Sequence, residues 1–71
     1  MPSGIIKVWH QSGYGWITRD DGGPDVFAHI KYCAFGYVPK LGERVTFEVV
    51  HDERSGRGGR ADNVMLMEHG S

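Results

Sequence analysis

From Ile5 to His10 the chain alternates, with Ile6 and Val8 on one side and Lys7 and Trp9 on the other. A period of two marks a strand with one apolar face. Gln11-Ser12-Gly13 reads as a turn, and alternation resumes from Gly13 to Arg19, where Tyr14, Trp16 and Thr18 oppose Gly15 and Ile17. Asp20-Asp21-Gly22-Gly23-Pro24 is turn chemistry throughout. Asp25 to Ile30 is a third strand, with Val26, Ala28 and Ile30 opposite Asp25, Phe27 and His29. Between Lys31 and Gly42, the breakers Gly36, Pro39 and Gly42 leave room for no more than a short helical turn. Glu43 to Val50 forms a fourth strand around Val45, Phe47 and Val49. A polar, glycine-rich loop runs from His51 to Arg60, and Ala61 to Met67 is a fifth strand with Val64 and Leu66 inward. Five short strands with frequent turns predict an all-β barrel or sandwich. A barrel suits so short a chain better, because it leaves no long strand edge exposed.

Composition narrows the picture. The 71 residues allow one domain, residues 1–71, with 68–71 expected as a disordered tail. The 11 glycines, about twice the usual share, fit strands and turns better than helices. One cysteine excludes an internal disulfide, and Cys33 has no partner residues at metal-ligand spacing. No metal or cofactor is expected. No apolar run reaches membrane-spanning length and no signal pattern opens the chain, so a cytoplasmic location away from membranes is expected. Eight basic residues against nine acidic ones give a formal net charge of −1. That balance argues against a protein that holds nucleic acid by charge alone.

The aromatic residues change this reading. All but Phe47 fall within the first 37 residues. The inward set of the first three strands is ordinary: Ile6, Val8, Ile17, Val26, Ala28 and Ile30. The outward set carries Lys7 and Trp9, then Tyr14 and Trp16, then Phe27 and His29. Large rings facing water lose roughly 25 cal/mol per Å2 of burial, so together they mark a binding surface. Flat rings beside a few cations suit unpaired bases, each stacked base contributing about 1–3 kcal/mol. Gly13 and Gly15 beside Tyr14 are expected to let a ligand approach.

Four segments then resemble one family. Ser12-Gly13-Tyr14-Gly15-Trp16-Ile17 is similar to the first ribonucleoprotein motif of cold-shock domains, K-G-[FY]-G-F-I. Asp25-Val26-Phe27-Ala28-His29 resembles the second, D-V-F-[VA]-H. Gly42 to Val49 resembles the family's G-x-x-V-x-F-E-V strand, and Ala61-Asp62-Asn63-Val64 its closing A-x-N-V. The resemblance implies a five-stranded antiparallel oligonucleotide-binding (OB) barrel. It also implies binding of single-stranded RNA and DNA with little sequence preference, and a role as RNA chaperone or regulator of transcription or translation.

The chain departs from that pattern in places. The usual first strand, K-W-F-N, is Lys7-Val8-Trp9-His10 here, so Trp9 is expected to replace the lost stacking platform. Ser12 stands for a lysine, Trp16 for a phenylalanine and Ile30 for an aromatic. Tyr37 is the candidate aromatic finger of the shortened loop after His29, while Tyr32 and Phe35 are expected to pack. Arg54, Arg57 and Arg60 are candidates to restore positive charge, or belong to a solvated turn. Asp25 either hydrogen-bonds a base or caps a turn. The expected nucleic-acid contacts are thus Lys7, Trp9, Tyr14, Trp16, Asp25, Phe27, His29, Tyr37 and Arg57. No nucleophile–base pair or paired carboxylates can be assembled, so neither an enzyme nor a small-molecule substrate is expected. A monomer is expected, with a hairpin-exchanged dimer as the variant. The alternative reading is a protein-interaction module using the same aromatic face.

Overall fold

The computed structural model describes residues 2–51 and 59–67. Its strands are β1 (Ser3–His10), β2 (Tyr14–Arg19), β3 (Val26–His29), β4 (Arg44–Val50) and β5 (Arg60–Leu66). A 3-10 turn, Ile30–Tyr32, follows β3. The strands form a closed barrel in the order β1-β2-β3-β5-β4. Every neighbouring pair is antiparallel except β3–β5, which meets in parallel at Phe27 and Arg60. A ring with an odd number of strands cannot alternate direction throughout, so the expected five-stranded antiparallel barrel closes through one parallel seam. No helix among the described residues is long and apolar enough to cross a membrane.

The inward halves of the strands make the core. Ile6, Ile17 and Val26 stand opposite one another across β1, β2 and β3. With Ala28, Val45, Phe47, Ala61 and Val64 they form one fully buried cluster. Each large apolar side chain taken wholly out of water contributes roughly 1.5–3 kcal/mol, which matters most in a domain this small.

Two irregularities decide which residues reach that core. The first is in β1, where Ile6 pairs with Ile17 but Val8 pairs with Trp16, leaving Lys7 as an extra residue. Such a bulge reverses the alternation beyond it. The second lies between Thr46 and Glu48 on β4, opposite Asn63 of β5. Asn63 adopts a left-handed backbone (φ 52°), which asparagine tolerates better than most residues, and its N–H donates to Asp62 Oδ1 at 2.9 Å. This shift turns both Ala61 and Val64, three positions apart, into the core. Leu66, expected inward, ends the strand 47% exposed.

The acidic turn between β2 and β3 is tied to basic residues beside it. Asp20 accepts from Ser3 Oγ at 2.7 Å and from Arg44 at 2.6 Å. Asp21 accepts from Arg19 and from the Gly23 N–H, and these bonds hold its carboxyl below the usual carboxylate range. These two acids are thereby engaged at the end of β2 opposite Tyr14.

Candidate nucleic-acid interface

Directly opposed residues on neighbouring strands share a face, and the outward pairings arrange the rings in two rows. One row is His10–Tyr14–His29 across β1, β2 and β3. The next is Val8–Trp16–Phe27, continued by Arg60 on β5. Tyr14 and Phe27 lie 6.2 Å apart between ring centroids, and Trp16 meets Phe27 edge-on at 5.4 Å. Such spacings are those of interacting aromatic pairs. Tyr14, Trp16, Phe27 and His29, all expected here, are therefore brought together on one half-exposed surface.

Lys7 and Asp25, also expected, sit at the edge of this surface and pair with each other at 3.0 Å. With Val8 and Trp16 they line a depression of about 330 Å3. His29 Nδ1 accepts the N–H of Lys31 at 3.2 Å, which leaves Nε2 as the donor of the neutral ring.

Several expectations are corrected. Trp9 is not on the ring face. The bulge at Lys7 turns it inward, opposite Gly15, where it packs against the core. Val8, expected inside, takes the outward place beside Trp16. Gly15 is buried and makes room for Trp9 rather than for a ligand. Gly13 serves the turn: its backbone is left-handed (φ 93°), and its N–H donates to His10 O at 3.0 Å. Ile30 leaves the core because the chain enters the 3-10 turn there, and it is 36% exposed.

The loop after β3 reverses two assignments. Tyr37 packs against the core, and its hydroxyl donates to Glu43 Oε1 at 2.9 Å. Burial, reinforced by that carboxylate, pushes its phenol pKa upward. Tyr37 is thus a structural strut rather than a projecting finger. Phe35, expected to pack, is fully exposed (107%). Burial also pushes the Cys33 thiol up to about 11. Arg54 and Arg57 lie outside the described residues, as does the tail 68–71.

Sequence reasoning missed two contributors. His10 stacks on Tyr14 with centroids 4.6 Å apart and planes 30° from parallel. Tyr32 stands edge-on to His29 at 6.3 Å, and the Arg60 guanidinium lies 3.8 Å over its ring. Arg60 is only 16% exposed at its side chain, so this contact is largely out of water. The alternation rule does give His10 the outward face once the bulge is known. Among the described residues, no cluster of three His, Cys, Asp or Glu side chains is placed to hold a metal ion.

Comparison with known proteins agrees with this geometry. Residues 2–67 match the family described as 'Cold-shock' DNA-binding domain. The chain belongs to the cold-shock domain family. Cold shock protein ScoF of Streptomyces coelicolor is 41% identical over 67 residues, covering 90% of this chain and 96% of that protein. Cold shock protein CspA of Rhizobium meliloti is 40% identical with the same coverage. The human calcium-regulated heat-stable protein 1 is 45% identical over 47 residues, 65% of this chain and 32% of its own length. A cold-shock domain over nearly the whole chain makes this a nucleic-acid-binding protein of cold-shock type.

Proposed function

We propose that this protein binds single-stranded RNA and DNA by stacking bases on Tyr14, Trp16, Phe27 and His29, with low sequence specificity. The observation that carries this reading is the continuous ring surface from Trp16 through Phe27 to Tyr14 on the outward side of β2 and β3. Unpaired bases offer flat faces to such a surface, whereas duplex bases are already stacked. Lys7 supplies a cation beside it, and the net charge of −1 is no obstacle to a mode that relies on stacking. Low specificity suits an RNA chaperone or a regulator of transcription or translation, acting as a monomer in the cytoplasm.

Titration of tryptophan emission with short oligothymidine or oligouridine tests the proposal. Quenching by single strands and far less by duplex is the expected result. Unchanged emission up to tens of micromolar oligonucleotide, together with self-association by sedimentation, would favour the protein-interaction module instead. A shallow dependence on salt is expected, since few phosphates are neutralised.

A further inference from the structure

Among the described residues, Lys31 lies over Tyr32 at the His29 end of the stacking surface, and the other cations around that surface are engaged. Lys7 is engaged by Asp25 at 3.0 Å. Arg19 and Arg44 are held by Asp21 and Asp20. Arg60 lies over Tyr32, with Asp62 at 3.9 Å. His10, by contrast, is exposed and stands at the end of the row His10–Tyr14–His29, stacked on Tyr14. Histidine is the side chain that gains charge just below neutral pH.

We propose that His10 is a further ligand-contacting residue, whose imidazolium form pairs with a backbone phosphate of a strand that has a base stacked on Tyr14. The inference rests on the reading of the ring face given above. A cation beside a stacked base can reach the phosphate next to it, and a phosphodiester stabilises the charged ring. Binding therefore takes up a proton at His10. The groups facing this ring are few: Tyr14 of β2 covers one side, and among the described residues the imidazole makes no ion pair. His29, at the other end of the row, faces Tyr14 of β2, Tyr32 and Lys31 of the 3-10 turn, and Arg60 of β5 beyond Tyr32. The Lys31 N–H occupies its Nδ1. The two ends of the row thus divide the work. His29 offers its Nε2 for a hydrogen bond, and the proposed phosphate contact falls to His10.

The test is the affinity for short oligothymidine at fixed low salt, from about pH 7.5 to about pH 5.5. Thymine and phosphodiester do not titrate in this window, so the change belongs to the protein. Wild-type affinity should rise about three- to tenfold on acidification. The slope of log affinity against log salt should also steepen by about one. His10→Gln should bind with little dependence on pH, while His29→Gln should bind more weakly throughout and keep the pH slope. Wild-type binding that is flat with pH, or a pH slope that survives intact in His10→Gln, overturns this proposal and leaves the stacking function standing. Absence of binding at any pH overturns both.

Discussion

Trp9 and Gly15 face each other across β1 and β2 on the inward side of the barrel. A Cβ added at Gly15 would come within 2.9 Å of Trp9 Cε3 and closer still to the Val8 carbonyl oxygen. The ring occupies the place a side chain would need, and the neighbouring backbone cannot move aside without breaking the β1–β2 ladder. Gly15→Ala should therefore destabilise the fold by about 2 kcal/mol or more. In a domain of this size, thermal unfolding should shift down by roughly 10 °C. A melting temperature within a degree or two of wild type would show that Trp9 does not seat on Gly15.

The same relationship assigns the fluorescence signal. Trp16 lies in the outward row beside Phe27, and Trp9 packs on the core. Quenching by oligothymidine should persist in Trp9→Phe and largely vanish in Trp16→Phe. The reverse pattern would place Trp9 at the ligand.

Lys7 and Asp25 form a pair exposed at 56% and 37%, so the bond between them adds at most about 1 kcal/mol to stability. Asp25→Asn should leave the melt almost unchanged. It should release Lys7 for phosphate contact, raising affinity at low salt and steepening the salt slope by about one. A drop in affinity would instead mean that the Asp25 carboxylate itself holds a base.

Two groups make the fold sensitive to alkali. Burial holds the Cys33 thiol neutral up to about 11, and burial with the Glu43 carboxylate keeps the Tyr37 phenol protonated still higher. In the unfolded chain both lose their protons at lower pH. Above about pH 9 the native state thus binds more protons than the unfolded state, and stability falls as pH rises. Their contribution is fully present below that range. Denaturant midpoints between about pH 8 and pH 11 should decline in wild type and more gently in Cys33→Ala/Tyr37→Phe compared with its own value at pH 8. Equal slopes would show that neither group senses folding.

The strands were legible because side-chain alternation and turn chemistry are local. Ile6, Ile17, Val26, Ala28, Val45, Phe47 and Val64 could all be assigned to the interior from period alone, and all are buried. The ring-bearing face of β2 and β3 was legible for the same reason. What failed was parity. Nothing in the letters Lys7-Val8-Trp9 announces an extra residue, so plain alternation exchanges the faces of Val8 and Trp9. A signal did exist: Gly15, a strand glycine opposite a bulky ring, marks close packing as readily as ligand approach. The loop from Lys31 to Gly42 carries no period. There, Tyr37 and Phe35 exchanged roles because a carboxylate six residues onward captures the Tyr37 hydroxyl. His10 was missed because a lone histidine beside a turn shows its value only when its cross-strand neighbour, Tyr14, is known.

The bulge at Lys7 also divides β1 into two pieces with independent phase. The residues before it pair on both sides, Gly4 to Ile6 with the far end of β2 and Ser3 to Ile5 with β4, where Ser3 stands opposite Thr46 and Gly4 opposite Val45. Val8, Trp9 and His10 are keyed to the hairpin and to β2. A relative lacking one residue here would close the β1–β2 ladder without a bulge and present the same three side chains in unchanged orientation, ring inward and small chain outward. In this strand, equivalence between relatives is preserved by counting back from the hairpin rather than forward from the first residue.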